Sequence, residues 1–147
     1  VAVSKTPDIH RMFQYHGAEH KSIYCYEAGL PLTVENVRKQ GRLHPRCGTS
    51  FLLIVVIISV LVNSFISWSN PWLRVVFKLL LLPVVVGISY EIIKLAGRYT
   101  NLCTRAISAP GMWLQKITTQ EPDDEMIEIA LAALMPVLPE VEGSDNW

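Results

Sequence analysis

The fold is decided by residues 51–66, which read FLLIVVIISVLVNSFI and contain no charged residue and no proline. Extended to residues 49–68, this run reaches roughly the 20 residues that a helix needs to cross a bilayer core. A buried helix of a soluble protein usually carries a polar stripe. Here the only polar interruptions are Ser59, Asn63 and Ser64. The run therefore predicts a transmembrane helix over residues 49–68.

A second apolar run covers residues 75–95, with its charged residues towards the ends. It predicts a second transmembrane helix over residues 73–96. Between the two runs lies WSNPW, in which Asn70-Pro71 is a turn signal and the tryptophans fit an interfacial aromatic belt. Because this connection is too short to hold a domain, the two helices are predicted to form an antiparallel hairpin.

The length allows one domain, taken as residues 1–147, and the concentration of apolar residues between Phe51 and Ala96 predicts an all-α membrane domain. The formal net charge of zero argues against a nucleic-acid binder. Three cysteines, an odd number without paired spacing, do not suggest a disulfide framework. The chain begins at Val1 with neither a methionine nor a recognisable signal peptide, so we expect a trimmed chain or a fragment.

Flanking charge predicts the orientation of the hairpin. Basic residues are concentrated on the side of the chain termini, at Arg38, Lys39, Arg42, Arg46, Lys94, Arg98 and Arg105, whereas the turn side has Arg74 and Lys78. Positively charged flanks stay on the cytoplasmic side of a membrane. Both termini are therefore predicted to be cytoplasmic.

The segment after the hairpin, residues 104–139, is predicted to form interfacial and amphipathic helices. Pro110 is expected to break the first of them, because a proline inside a helix removes a backbone hydrogen bond. Pro122, followed by two aspartates, indicates the start of another helix. Residues 140–147 are predicted to be a disordered tail.

The most specific local motif lies in the predicted cytoplasmic segment, residues 8–48, within a helix that is predicted over residues 8–28. Its H-x-x-E-H pattern consists of His16, Glu19 and His20. Histidines at i and i+4 point to the same side of a helix and can bind one metal ion. The glutamate between them can then activate a water molecule as a general base. The alternative is an ordinary hydrogen-bonded helix surface.

A second group of possible ligands directly precedes the first transmembrane run. His44 and Cys47 in the sequence HPRC have a spacing that suits a zinc or iron site. Together with His16 and His20 they would supply three imidazole nitrogens and one thiolate. Four ligands would make a closed structural site, whereas three would leave an open position and give Glu19 a catalytic role.

Three further residues are candidates for additional ligands or for hydrogen bonds to the ligands. Glu27 lies on the histidine face of the predicted first helix, and Tyr90 and Glu91 lie near the cytoplasmic end of the second transmembrane run. An ionisable group at membrane depth is a candidate functional residue. The alternative for Glu91 is an ion pair with Lys94 or Arg98.

Six segments, in this order, resemble those of a known family. They are FQYHGAEHK (13–21), LTVENVR (32–38), HPRCGTSFLLIVV (44–56), ISYEIIK (88–94), SAPGMWLQ (108–115) and TTQEPDD (118–124). They are similar to the YqhQ-like bacterial membrane proteins, a family of unknown function labelled as predicted metal-dependent enzymes. The resemblance covers about residues 9–138 and implies a multi-pass protein of the bacterial cytoplasmic membrane, with additional chain upstream in other members.

Two functions remain open at this point. The first is a membrane hydrolase that uses a divalent transition metal, with zinc the first choice, to cleave a membrane peptide or a lipid-like molecule at the cytoplasmic face. The second is a non-enzymatic scaffold or partner-binding subunit with a structural metal or a polar cluster. Its partner would be a membrane protein or another copy of the chain. A channel is less favoured, because two helices form a pore only by oligomerisation. The bilayer is a predicted partner in every case.

Overall fold

The computed structural model describes residues 6–65, 70–99 and 101–139, and these residues form helices and no strand. The helices are α1 (Pro7–Glu27), α2 (Val34–Arg38), α3 (Gly48–Ser64), α4 (Pro71–Arg98), α5 (Leu102–Thr118) and α6 (Asp124–Leu134), and a 3-10 turn follows at Met135–Val137. The all-α prediction is thus confirmed for this part of the chain. The predicted tail, residues 140–147, lies outside the described residues.

The chain divides into two compact units. The first unit consists of Val1–His44 and Trp113–Trp147, and the second unit is Pro45–Met112. In the first unit, α1 packs against α2 and α6, and α2 packs against α6. Its core is a cluster of small and aliphatic side chains with one cysteine: Ala18, Cys25, Val37, Met126, Ile127, Ala130 and Leu131.

The helices of the first unit begin where local sequence signals predict. α1 starts with Pro7 in its first turn, where the missing N–H costs nothing. The hydroxyl of Thr33 accepts a hydrogen bond from the backbone N–H of Asn36 at the start of α2. Asp123 caps α6 in the same way, through the N–H of Met126 at 2.9 Å.

From the last residue of α5 towards α6, residues 118–121 form a segment that we call the strap, which runs alongside α1. The backbone N–H of Gln120 donates a hydrogen bond to the carbonyl of Phe13 at 2.8 Å. A Cβ atom on Gly17 would overlap the carbonyl oxygen of Gln120. The strap can therefore approach α1 this closely only because residue 17 has no side chain.

In the second unit, α3 packs against α4. The side chain of Arg46, just before α3, lies against Gly97 near the end of α4, so the two helices run antiparallel. α4 has 28 residues and is long and apolar enough to cross a membrane, whereas α3 is a shorter apolar helix. One candidate membrane helix is thus found among the described residues, and the second predicted span stays a prediction.

The predicted break at Pro110 was wrong, because α5 continues through it to Thr118. A proline inside a helix removes the hydrogen bond to the preceding turn but adopts a helical φ. The neighbouring Gly111 packs so closely on Ser50 of the second unit that a Cβ atom would lie 2.6 Å from the Ser50 side chain. We attribute the continuity of α5 to this packing, which outweighs the local preference of a Pro-Gly pair for a turn.

Candidate metal-binding site

α1 places the two histidines of the H-x-x-E-H motif side by side. They are one helical turn apart, and their ring centroids are 4.4 Å from each other at an interplanar angle of 67°. His20 is buried and His16 is half-buried. Glu19, the third residue of the motif, is exposed on α1.

Both histidine rings are oriented by backbone carbonyl groups. Nδ1 of His16 lies 2.8 Å from the carbonyl oxygen of Thr118 in the strap, and Nδ1 of His20 lies 2.6 Å from that of Arg42. A carbonyl oxygen can only accept, so Nδ1 carries the proton and, in the neutral ring, Nε2 carries the lone pair. Histidines that bind metal ions almost always donate their other ring N–H to a carbonyl, a carboxylate or water. The hydrogen bonds that a two-histidine metal site needs are therefore present.

Cys47 supplies a possible sulfur ligand. It is 6% exposed and sits at the N-cap of α3, where its Sγ lies 3.1 Å from the hydroxyl of Thr49. His16 and His20 of the first unit each offer one ligand nitrogen that could help to hold a metal ion, and Cys47 of the second unit stays a predicted further ligand. Imidazole nitrogen and thiolate sulfur are ligands that zinc prefers.

His44, the fourth predicted ligand, is 2% exposed and has another partner. Its Nε2 lies 3.1 Å from a carboxylate oxygen of Glu27, whose side chain is 32% exposed. The ring of His44 also lies against Tyr24, with centroids 4.5 Å apart, and 5.9 Å from the ring of His20. The roles of His44 as a ligand and of Glu27 as an additional ligand or a hydrogen-bond partner of a ligand remain predictions. The structure places the two side chains in direct contact.

Gln115 is a site residue that the sequence did not reveal. It is completely buried, accepts a hydrogen bond from the backbone N–H of His44 at 2.8 Å and donates one to its carbonyl at 2.7 Å. The backbone of His44 is thereby fixed at both of its polar groups. No local pattern around Gln115 could have shown this, because the two residues are 71 positions apart.

The loop before α3 is held by a row of three such contacts. The carbonyls of residues 42–44 accept hydrogen bonds, one after another, from the side chains of His20, Tyr24 and Gln115. Buried or half-buried carbonyl groups outside regular structure need partners of this kind. The loop that carries His44 is therefore fixed to the histidine face of α1.

The other predicted candidates lie in the second unit. Tyr90 and Glu91 are exposed on α4, and the ammonium group of Lys94 lies 6.0 Å from the centroid of the Tyr90 ring. Within the part of the chain that the structure describes, Glu91 forms no ion pair with Lys94 or Arg98. Their roles in a metal site stay predictions.

Cys25 belongs to the core and not to the histidine cluster. Its side chain is completely buried, and its Sγ points to the carbonyls of Leu30 and Pro31 at 4.0 and 3.6 Å. Burial raises the pKa of the Cys25 thiol above its ordinary value, because the thiolate would lose its hydration. The side chain therefore behaves as a small apolar group.

Comparison with known proteins identifies the family of this chain. The family described as "Protein of unknown function (DUF1385)" matches residues 1–140. The chain belongs to this family. Within it, the chain is 47% identical over 137 residues to the "Uncharacterized protein YqhQ" of Bacillus subtilis (strain 168), and the match covers 92% of this chain and 43% of that protein.

The resemblance to YqhQ-like proteins that the sequence motifs suggested is thereby confirmed. The chain spans less than half the length of the relative from Bacillus subtilis. No solved structure matches it.

Proposed function

We propose that this DUF1385 chain carries the metal site of a membrane-bound hydrolase that works at the cytoplasmic face. His16 and His20 hold a divalent transition metal, with zinc the first choice, and His44 or Cys47 stays the further ligand that the sequence predicts. The observation that carries the proposal is the pair of hydrogen bonds from the Nδ1 atoms of His16 and His20 to backbone carbonyls. They leave Nε2 as the ligand nitrogen in two rings that already lie together.

The chemistry of the site supports a catalytic use of the metal. A bound zinc ion acts as a Lewis acid and lowers the pKa of a water molecule. Three protein ligands are the usual number in catalytic zinc sites, and the contact between His44 and Glu27 favours a set without His44. Glu19 is exposed one residue before His20 and would be the carboxylate that accepts a proton from a water molecule at that metal.

Insertion of α3 and α4 into a bilayer is the second part of the proposal. Only 17% of the apolar window of α4 is buried, whereas the core helix of a soluble protein is mostly buried. Large apolar side chains are exposed on α3 as well, including Leu52, Val56 and Val60. The 17 residues of α3 would span about 26 Å, somewhat less than the roughly 30 Å of a bilayer core. Exposed apolar surface of this extent needs lipid or a partner to cover it.

A non-enzymatic scaffold is the second candidate function. The burial of His20 favours it, because structural metal sites are closed to solvent. The nearby ring of His44 would supply a third imidazole ligand if its contact with Glu27 were given up.

Elemental mass spectrometry of detergent-purified protein tests the metal site. We expect about one transition-metal ion per chain, and its loss in the double variant His16→Ala, His20→Ala. The control is His10→Ala, because His10 is an exposed histidine on the same helix. Absence of stoichiometric metal in protein purified without chelator would contradict the proposal.

Glu19→Gln separates the two candidate functions. The amide cannot act as a base, so we expect turnover to fall at least about a hundredfold while the metal content stays at its normal level. The assay compares hydrolysis of model phospholipids and membrane peptides by the wild type and the variant. Unchanged turnover in Glu19→Gln would contradict the role of this residue, and a metal-loaded protein without any turnover would favour the scaffold.

A further inference from the structure

An open cavity of about 450 Å³ lies in the first unit beside the histidine helix. Tyr24 of α1 and the loop residues Gln40, Gly41, Arg42 and Leu43 line it. Its volume falls in the range of pockets that bind small molecules. None of the proposed metal ligands lines the cavity.

The walls of the cavity are connected directly to the proposed metal ligands. The carbonyl of Arg42 accepts the hydrogen bond from His20 at 2.6 Å, and the carbonyl of Leu43 accepts one from the hydroxyl of Tyr24 at 2.8 Å. The loop that lines the cavity is therefore hydrogen-bonded to His20.

Arg42 is the one charged residue among the five that line the cavity. The two basic residues that precede it in the sequence form ion pairs, Arg38 with Asp124 and Lys39 with Glu35. The half-buried guanidinium of Arg42 donates through one nitrogen to the carbonyl of Thr119 at 3.0 Å. Within the described residues, no carboxylate lies within ion-pair distance of it.

A partly buried cation without a counter-ion is a site for an anionic ligand. Guanidinium groups bind phosphate through two parallel hydrogen bonds, and the bond to Thr119 fixes one side of the group so that less freedom is lost on binding. Phosphate is also the anion that a bilayer surface presents. The ring of Tyr24 and the side chain of Leu43 provide apolar surface for the rest of the molecule.

We propose that Arg42 binds the phosphate group of a ligand in this cavity, so that the substrate of the proposed hydrolase is a phosphate-bearing molecule. The substrate role rests on the proposed function, but phosphate binding by Arg42 does not. The phosphate belongs either to a lipid headgroup or to a soluble phosphoester.

Calorimetric titration of the purified chain in a non-ionic detergent tests the proposal. The two probes are inorganic phosphate and dihexanoyl phosphatidylglycerol, and the variants are Arg42→Gln and Lys39→Gln. Both variants remove one positive charge, but Lys39 is exposed, paired with Glu35 and absent from the cavity lining. We expect Arg42→Gln to weaken binding at least about tenfold and Lys39→Gln to leave it within about twofold.

The two probes distinguish the sources of the phosphate group. Binding of inorganic phosphate that depends on Arg42 indicates a soluble phosphoester, and binding of the lipid alone that depends on Arg42 indicates a headgroup. Absence of binding by the wild type, or equal weakening in both variants, would overturn the proposal. If Arg42→Gln lowers the Tm, the titration is repeated with Arg42→Lys. We expect this variant to bind phosphate several-fold more weakly, because an ammonium group cannot form the two parallel hydrogen bonds of a guanidinium.

Metal content separates a failure of this inference from a failure of the proposed function. Arg42→Gln keeps the backbone carbonyl that orients His20, so we expect its metal content to equal that of the wild type. Phosphate binding that depends on Arg42 in a chain without metal would keep the inference and remove the hydrolase. Normal metal content with no phosphate binding would keep the metal site of the proposed function and remove the phosphate inference.

Discussion

Gly17 lies where the strap crosses the histidine helix, and the strap occupies the space that a side chain would take. The same strap supplies the carbonyl of Thr118 that orients the ring of His16. Glu121, the last residue of the strap, forms an ion pair at 2.9 Å with the buried ammonium group of Lys21. The conformation of one half of the histidine pair therefore depends on a residue that has no functional group.

We expect Gly17→Ala to lower the free energy of unfolding by roughly 1–3 kcal/mol, because the added methyl group overlaps the backbone of Gln120 and the strap must move. The variant should also bind metal more weakly, since Thr118 moves with the strap. Thermal unfolding and elemental mass spectrometry measure the two effects. The control is Gly87→Ala in α4, where nothing lies within 4 Å of the added atom. It should be neutral or more stable by up to about 1 kcal/mol. Equal stability of the two variants would show that the strap does not depend on Gly17.

At the scale of the element, α6 contributes more of the first unit's core than its 11 residues suggest. Met126, Ile127, Ala130 and Leu131 from this one helix belong to the core cluster. A helix of this length is marginal in isolation and depends on tertiary packing and on its caps. The N-terminal cap, Asp123, is therefore a sensitive point of the unit.

Asp123→Ala should destabilise the first unit by about 1 kcal/mol, because the N–H of Met126 loses its acceptor at the start of α6. Asp123→Asn keeps a side-chain oxygen at the same position and should recover most of this loss. Thermal unfolding followed by circular dichroism compares the three proteins. If Asn proves as destabilising as Ala, charge rather than capping is responsible.

The elements also show where local sequence signals succeed and where they fail. Pro7, Thr33 and Asp123 mark helix starts correctly, because a cap acts on backbone groups within three or four residues. Pro110 fails as a signal, because the close approach of Gly111 to Ser50 is a contact between segments far apart in the chain. Tertiary packing of this kind overrides a local preference.

At the scale of the whole molecule, the exposed apolar surface of α4 is the strongest indication of a membrane. Leu73, Leu79, Leu80 and Leu82 are all more than 40% exposed. Contact of this surface with water would cost a free energy of about 25 cal/mol for each Å² of exposed apolar area.

Leu82→Lys should reduce membrane insertion, because a lysine near the middle of a spanning helix costs about 3 kcal/mol on the insertion scale. Leu73→Lys is the matched control, since a lysine in the first turn of α4 can extend to the interface. The measurement is the fraction of each protein that stays in the membrane pellet after alkaline extraction. Equal retention of Leu82→Lys and the wild type would contradict a membrane-spanning α4.

The sequence by itself determined the all-α class, the apolar α3 and α4, and the pairing of His16 with His20 on one helix face. These features depend on the period of a helix and on neighbours within a few residues, which a sequence displays directly. Only the tertiary structure decided that Gln115 fixes the backbone of His44 and that the carbonyl of Thr118 orients His16. His44 and Gln115 are 71 positions apart, and His16 and Thr118 are 102 positions apart. A buried polar group can form its hydrogen bond with any suitable partner that the fold brings near it. No local pattern specifies which one that will be.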